Sequence, residues 1–295
     1  MELLYHIINI DTIQMKPNRQ TMRNKLRRNI MKRVPVKDGS EKVSYYKYYL
    51  EDIVGISDEL RQKLINSKGK KEDALEIDDR EKLQSKECYP AETGYYPLKK
   101  GGALVASNVK IPNITKEMIE WWTAWFALDP LRYALWDPED HYDIAVDEYG
   151  RKRALDPSVP MGEKLWGVTH FLEESFDGEE PTKLVMKFVS PADAGYDMSL
   201  LGTDQCVFMV CAESKMGKMP VFVTETFTRI NGEMEVRLRF WIGYELKDGK
   251  AKCKLPPFIK APENVLKGLL IHNFKEYAQM NKILPSLYAE EKDNL

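Results

Sequence analysis

Apolar and polar positions alternate along much of the chain after about residue 90, in runs that are typical of β-strands. The first run is GGALVASNVKI, at residues 101–111. The last two runs are separated by Asn231-Gly232, a dipeptide that strongly predicts a tight β-hairpin. We therefore predict an antiparallel sheet. The later runs are WGVTHFLEESF, TKLVMKFVSP, DQCVFMVCAES, MPVFVTETFTRI and EMEVRLRFWIGYEL.

The run after the predicted hairpin separates its two faces clearly. Successive side chains of a strand point to opposite sides of the sheet. One side of this run is apolar and the other is charged, which predicts a sheet with one apolar face. The apolar side carries Met234, Val236, Leu238 and Phe240, and the other side carries Glu235, Arg237 and Arg239.

The segment NITKEMIEWWTAWFALDP, at residues 113–130, has the spacing of a helix. Thr115 is suited to the N-cap, and Asp129-Pro130 ends the segment. Met118 and three tryptophans recur at helical intervals. We interpret the tryptophans as core, because large aromatic side chains at that spacing mostly serve packing.

A longer amphipathic helix is predicted at residues 263–283, where Pro262 and Glu263 favour a helix start. Strands followed by a helix that can cover their apolar face are typical of an α+β domain. We predict for residues 91–295 a curved antiparallel sheet wrapped around the long C-terminal helix. Residues 1–90 are rich in charge, and we predict a mainly helical region that serves as a lid or a dimer contact.

The composition narrows the class of function. Of the 295 residues 43% are hydrophobic, enough for a large core, and the formal net charge of −2 gives no basis for binding nucleic acid. No apolar run approaches the roughly 20 residues of a membrane span, and the N-terminus lacks signal-peptide features. The four cysteines show no metal-type or disulfide-type spacing. We therefore expect a reduced, cytoplasmic protein.

Two polar residues stand out in the apolar stretch VLKGLLIHNFKEYAQM, at residues 265–280. His272 and Glu276 are four positions apart and so lie on one face of a helix, together with Leu269. They are either an ordinary ion pair on a solvated edge or half of a metal site. The spacing alone favours the solvated pair.

A catalytic metal site would need a further ligand, and the chain offers few candidates. His141 lies in RYALWDPEDHYDIAV, and GVTHFLEESFDG contains His170, Glu173 and Glu174. Taken alone, His141 is interpreted as a surface loop histidine, the two glutamates as strand-end charges, and His170 as a structural residue. Periodicity alone therefore predicts a sheet-and-helix cup with one suggestive histidine–glutamate pair.

Five stretches together, in their order and separation, resemble the zinc-dependent hydrolases of C-acylated phloroglucinols, the family of phloretin hydrolase and diacetylphloroglucinol hydrolase. The resemblance covers residues 92–280 and implies a helix-grip (Bet v 1-like) fold. It rests on the ordered set, since no single stretch is diagnostic. The stretches are MIEWWTAWF, RYALWDPEDH, GVTHFLEES, GEMEVRLRFWIG and HNFKE.

The resemblance implies a zinc ion, Zn2+, held by two histidines and two glutamates. The strand glutamate aligns with Glu174, although Glu173 is adjacent and stays open as an alternative. Tyr133 matches a tyrosine that hydrogen-bonds a phenolic oxygen of the substrate, and Trp136 is expected to help hold a flat ring. The implied ligands are His141, Glu174, His272 and Glu276.

The implied reaction is hydrolysis of the carbon–carbon bond between a phloroglucinol ring and its acyl group. Family members carry a histidine for proton transfer near the start of the hairpin, but the stretch VFVTETFTRING has none, and Glu225 is the candidate to replace it. The sequence does not indicate which acyl group is preferred. The alternative function is a non-catalytic helix-grip module that binds an aromatic or apolar ligand. A small-molecule substrate, no nucleic-acid or membrane partner, and a homodimer are expected.

Overall fold

The computed structural model of the protein describes residues 33–85, 91–217, 219–247, 249–255 and 260–295. The strands are β1 (Gly94–Pro97), β2 (Ala103–Lys110), β3 (His141–Val146), β4 (Thr169–Glu174), β5 (Thr182–Val189), β6 (Phe208–Met216), β7 (Met219–Ile230), β8 (Glu233–Ile242), β9 (Tyr244–Lys247) and β10 (Lys250–Cys253). The α-helices are α1 (Tyr46–Leu50), α2 (Asp58–Ile65), α3 (Lys116–Trp125), α4 (Pro130–Ala134), α5 (Glu148–Leu155) and α6 (Glu263–Glu291). Short 3-10 helices lie at Ser40–Lys42, Lys71–Asp73, Ile77–Gln84, Phe126–Leu128, Met161–Glu163 and Met198–Leu200.

Eight strands form one antiparallel sheet in the order β1-β2-β8-β7-β6-β5-β4-β3, and β9 and β10 form a separate hairpin. The turn between β7 and β8 consists of Asn231 and Gly232, whose φ angles are +51° and +88°. Both angles lie in the left-handed region that a two-residue hairpin turn favours. The predicted antiparallel sheet and its hairpin are confirmed.

Helix α6 lies across the side of the sheet that carries the apolar residues. Leu270 and Leu284 of the helix are fully buried in the same core as Val223 of β7 and Leu238 of β8. Strands β4 to β8 and the helix together line one cavity, so the sheet wraps around the helix. The predicted α+β class with a C-terminal helix is therefore confirmed.

Helix α3 begins at Lys116, and the Thr115 side chain accepts a hydrogen bond of 3.3 Å from the backbone nitrogen of Met118. Its tryptophans are buried in the core. Trp121 meets Tyr288 of α6 edge to face, with ring centroids 5.4 Å apart. The predicted N-cap and the packing role of the tryptophans are confirmed.

Helix α6 continues past the predicted end at residue 283 and reaches Glu291. Pro285 inside it has no N–H to donate to the backbone oxygen of Asn281, four residues earlier. Asn113 supplies a donor instead: its Nδ2 lies 3.3 Å from that oxygen, and its backbone nitrogen donates to Asn281 Oδ1 at 3.0 Å. This tertiary contact helps the helix to continue past the proline.

The charged side of β8 is not solvated. Arg237 and Arg239 are only 1% and 0% exposed, and Arg239 Nη2 lies 3.2 Å from Glu92 Oε2. A second apolar cluster, which includes Trp241, lies on this side of the sheet. An interpretation of this face as a polar exterior would be wrong, because alternation shows which side chains share a face but not what covers it.

The described part of the N-terminal region contains short helices and packs onto the rest of the chain. The backbone nitrogen of Val54 donates to Gln279 Oε1 of α6 at 2.8 Å, and Arg80 Nε donates to the backbone oxygen of Ala194 at 2.7 Å. A domain limit at residue 90 and a role as a lid or dimer contact stay predictions. Residues 1–32 lie outside the described residues.

Two expectations from composition concern a membrane span and the state of the cysteines. In the ranges that the structure covers, no helix combines the length and the apolar character needed to cross a membrane. Cys206, Cys211 and Cys253 carry free thiols. Cys88 lies outside the described residues.

We expect Leu284→Ala to lower the free energy of unfolding by about 2–5 kcal/mol, because it removes a fully buried side chain from the core that α6 shares with the sheet. Urea denaturation measures the change. Ser286→Ala, at an exposed position of the same helix, is the control and should stay within about 0.5 kcal/mol of the wild type. Equal effects of the two substitutions would contradict the packing described.

Candidate metal centre and active-site cavity

A cavity that opens to solvent lies between α6 and the sheet. Most of its wall is apolar or aromatic. Polar side chains gather where the start of β3 and the end of β4 meet the middle of α6. The strands contribute Leu172, Leu184, Val210, Val223 and Phe240 to the wall, and the helix contributes Leu269 and Met280.

His141 and His272 face each other at this polar end. Their Nε2 atoms are 3.3 Å apart, and the residues are 1% and 3% exposed. Glu276 Oε2 lies 3.8 Å from His141 Nε2 and 3.6 Å from His272 Nε2. The interpretations of His272 and Glu276 as a solvated pair, and of His141 as a surface residue, are wrong, because this face of α6 packs against the start of β3.

The hydrogen bonding of His141 shows which of its nitrogens can bind a metal. Its Nδ1 lies 3.2 Å from the backbone oxygen of Tyr133, and since a carbonyl only accepts, Nδ1 carries the hydrogen. The Nε2 of the neutral ring then carries no hydrogen, and its lone pair, which can bind a metal ion, points toward His272. Two nitrogens around a tetrahedral zinc ion lie about 3.3 Å apart. The three side chains His141, His272 and Glu276 therefore fit one divalent metal ion.

Burial disfavours charge in this group. It lowers the pKa of His141 well below its usual value and raises the pKa of Glu276 well above its own. Burial also opposes a charged His272, but nearby carboxylates, with Asp140 foremost, outweigh it and raise the pKa of His272 to about 9. A cation bound among these groups would favour the ionised carboxylate and the neutral imidazoles. The donor set is one that zinc and related metals accept.

Two carboxylates lie behind His272, on the side away from His141. Its Nδ1 lies 3.6 Å from Oδ2 of both Asp137 and Asp140. Asp140 accepts hydrogen bonds from Lys275 Nζ and Ser175 Oγ, and although burial opposes its charge, His272 and Lys275 lower its pKa. Partners of this kind orient metal-binding histidines. Asp137, Asp140 and His272 also form a second group that could hold a cation.

The sequence interpretation missed Asp137, Asp140 and Lys275. The two aspartates come shortly before His141 in WDPEDH, and Lys275 lies in an apolar stretch, one helical turn after His272. These were usable signals, since a charge in an apolar segment needs a partner. Their mutual contact was not visible, because the two segments are more than 130 residues apart in the chain.

Glu174 lies beside the metal group but is not a member of it. It is directly across from His141 in the pairing of β3 with β4, and its side chain lines the cavity. Its Oε1 accepts a hydrogen bond from the Tyr133 hydroxyl, and burial raises its pKa to about 7. Glu173 points to the opposite face of the strand. The structure thus groups three of the four ligands expected, with Glu174 adjacent.

Tyr133 and Trp136 form an aromatic wall next to His141. The Tyr133 ring stacks on the His141 ring with centroids 4.0 Å apart and planes 9° apart. The Trp136 ring meets His141 edge to face at 5.4 Å, and both Tyr133 and Trp136 line the cavity. The indole nitrogen of Trp136 is buried and has no hydrogen-bond partner among the described residues. Both aromatic residues therefore border the cavity beside the metal group, and the Trp136 nitrogen is a donor that no described residue engages there.

Glu225 lines the same cavity from β7 and is paired with Tyr277, the residue after Glu276 on α6. The Tyr277 hydroxyl donates to Glu225 Oε2 at 2.7 Å. Burial raises the pKa of Glu225 to about 7, so the carboxyl can hold or release a proton near neutrality. The sequence interpretation named Glu225 but missed Tyr277, whose hydroxyl within an apolar helix was the available signal.

A mainly apolar cavity with a group of metal-type ligands and two carboxyls of raised pKa is typical of an enzyme acting on a small molecule. The chain belongs to the family described as the DAPG hydrolase PhiG domain, whose model matches residues 75–289. This is the C-acylphloroglucinol hydrolase family that the sequence resembled. The protein is accordingly a hydrolase that acts on carbon–carbon bonds.

Among curated proteins, the chain is similar to the phloretin hydrolase of Eubacterium ramulus. The two are 36% identical over 264 residues, which cover 88% of this chain and 95% of the relative. Membership of a hydrolase family favours catalysis over the alternative of a non-catalytic binding module.

Two solved structures show a weak overall similarity. Ara h 8.0201 aligns with a TM-score of 0.37 and 9% identity, over 62% of this chain and 97% of that chain. Protein CV1439 from Chromobacterium violaceum aligns with a TM-score of 0.33 and 14% identity, over 59% and 94% of the two chains. These scores are too low to assign the fold, which rests on the strand order and the position of α6.

We expect the purified protein to bind about one divalent metal ion per chain, and His272→Ala to lose it, because the substitution removes one of three clustered ligands. Elemental analysis measures the metal. His170→Leu is the matched control, since His170 is an equally buried histidine of the cavity wall outside both metal-type groups. Metal retained by folded His272→Ala at the wild-type level would contradict the assignment.

Proposed function

We propose that this chain is a zinc-dependent hydrolase that cleaves the bond between a phloroglucinol ring and its acyl carbon. The substrate would be phloretin, giving phloretate and phloroglucinol, or diacetylphloroglucinol, giving monoacetylphloroglucinol and acetate. The observation that carries the proposal is the buried His141–His272–Glu276 group beside an aromatic wall, in a relative of a phloretin hydrolase. The helix within the sheet supports the helix-grip class, and free thiols suit a reducing, cytoplasmic location. A homodimer is part of the same proposal.

The proposed zinc ligands are His141, His272, Glu276 and Glu174. Glu174 Oε1 is occupied by the Tyr133 hydroxyl, so Oε2 is the atom left to join the group. When bound, zinc supplies a Lewis acid that polarises oxygen atoms and lowers the pKa of water. Asp137 and Asp140, near His272 Nδ1, favour a hydrogen on that nitrogen and leave Nε2 for the metal.

Tyr133 and Trp136 are the proposed residues that position the ring. Stacking on His141 fixes the Tyr133 ring, so its hydroxyl is held at the polar end of the cavity. We infer that this hydroxyl donates to a phenolic oxygen of the substrate in place of Glu174. The unpartnered indole nitrogen of Trp136 offers a further donor, and its ring provides an apolar wall.

Glu225 is the proposed proton donor. The bond to the acyl carbon can break only if its electron pair goes to the ring, so the ring carbon must take a proton while the acyl carbon gains a hydroxyl group from water. With a pKa raised to about 7 by burial, Glu225 is half protonated at neutral pH. Tyr277 holds Oε2 as an acceptor, so the proton resides on Oε1.

We expect metal-replete wild type to release phloroglucinol from phloretin, or monoacetylphloroglucinol from diacetylphloroglucinol. A chelator should abolish the activity and zinc should restore it, because the proposed reaction needs the metal ion.

Tyr133→Phe should lower kcat/KM by about tenfold or more through loss of one hydrogen bond to the ring. Ser286→Ala, at an exposed position outside the cavity wall, is the control that keeps full activity. Failure of zinc-loaded protein to cleave either compound would refute the proposal.

We expect kcat to fall as the pH rises above about 7, since burial raises the pKa of Glu225 to about 7 and only the protonated form can donate. Glu225→Gln should lower kcat by about 100- to 10,000-fold without loss of zinc. Tyr277→Phe should move the alkaline fall to higher pH, because the Tyr277 hydroxyl lowers the pKa of Glu225. If the decrease of kcat at high pH occurs at the same pH in Tyr277→Phe as in wild type, the decrease belongs to a group other than Glu225.

A further inference from the structure

His170 is a buried histidine of the cavity wall that the proposed reaction does not use. It lies in β4, is 1% exposed and belongs to neither metal-type group. Its Nδ1 has no hydrogen-bond partner within the part of the chain that the structure describes. Burial lowers the pKa of the ring to about 3, so the imidazole is neutral at physiological pH. A neutral ring can accept a hydrogen bond at one nitrogen and donate from the other.

His170 lies away from the metal group along the sheet. It shares a face of β4 with Glu174, four residues on, which corresponds to roughly 13 Å along a strand. Aromatic rings line the interval. Tyr133 stacks on His141 at 4.0 Å, Phe126 follows at 5.8 Å from Tyr133, and His170 lies 5.7 Å from Phe126. A column of aromatic rings therefore spans the interval between the metal group and this imidazole, and two of its members, Tyr133 and Phe126, line the cavity.

The immediate neighbours of His170 are apolar. Phe126 and Phe188 meet its ring edge to face at 5.7 and 4.6 Å, and Met186 lies directly across from it in β5. A buried nitrogen without a partner is unfavourable in such surroundings. The two phenylalanine rings also restrict the orientation of the imidazole. His170 thus has the properties of a preformed hydrogen-bonding position in a ligand cavity.

We propose that His170 binds a hydroxyl group at the far end of the acyl chain, so that the preferred substrates are phloroglucinols with a hydroxyarylpropanoyl chain and not an acetyl group. This inference rests on the proposed function. A hydroxyl both donates and accepts, so it pairs with Nδ1 in either neutral tautomer. An acetyl group ends next to its carbonyl carbon and cannot extend from the metal group to His170. A hydroxyphenylpropanoyl chain is longer, and its ring suits the aromatic wall.

The test compares phloretin with an analogue that lacks only the hydroxyl of the distal ring. kcat and KM are measured for both compounds with zinc-loaded wild type, His170→Leu and His170→Gln. We expect wild type to favour phloretin by about tenfold or more in kcat/KM, chiefly through KM. His170→Leu should reduce the preference to about twofold or less, and His170→Gln, whose amide also donates and accepts, should restore part of it.

The role of His170 is overturned if wild type and His170→Leu prefer phloretin over the analogue equally. It is also overturned if wild type shows no preference. The readout is a ratio within one variant, so a general loss of activity or stability does not imitate the expected result. If wild type cleaves neither compound, the proposed function fails. In that case the dissociation constants of phloretin and the analogue are measured by quenching of tryptophan fluorescence. Their ratio in wild type and in His170→Leu decides whether His170 recognises the hydroxyl.

Discussion

The contact between the imidazoles of His141 and His272 is the interaction on which the site depends. It requires the start of β3 and the middle of α6 to bring two buried Nε2 atoms to 3.3 Å. On its other side, His141 donates to the Tyr133 carbonyl, and His272 Nδ1 lies 3.6 Å from the carboxylates of Asp137 and Asp140. Two lone pairs that face each other away from water repel unless a proton or a metal ion lies between them. A proton or a metal ion is therefore needed where α6 crosses the sheet.

Two glutamates in the cavity show how burial prepares groups for chemistry near neutral pH. Glu174 and Glu225 have pKa values raised to about 7 by burial, and each accepts a hydrogen bond from a tyrosine. A carboxyl with such a pKa can exist in both protonation states in the cell. Their neighbours suit different proposed roles. Glu174 lies directly across from His141 in the pairing of β3 with β4, as a zinc ligand would. Glu225 lies on β7, two strands beyond β5, and contacts Tyr277 of α6, as suits the proton donor.

The outer face of the sheet is also covered by protein at β8. Arg237 and Arg239 are buried there beside Glu92, and a second apolar cluster that includes Trp241 packs around them. Both faces of β8 are therefore inside the protein. The metal group lies at β3 and β4, at the other end of the sheet, where the outer side chain of Phe171 is 47% exposed. Its ligands are therefore positioned by the contact of these strands with α6 and not by the cluster behind β8.

The sequence by itself determined the elements whose signals are local. Alternation predicted the strands, Asn231-Gly232 predicted the hairpin, and Thr115 marked the start of α3, because each reflects backbone preferences within a few residues. The family resemblance named the site residues, three of which the fold brings together. Only the tertiary structure decided whether His272 and Glu276 are solvated or buried, why α6 passes Pro285, and that Lys275, Asp140 and Tyr277 belong to the site. These outcomes depend on partners far away in the chain, and a periodic pattern carries no information about which distant segment covers a given face.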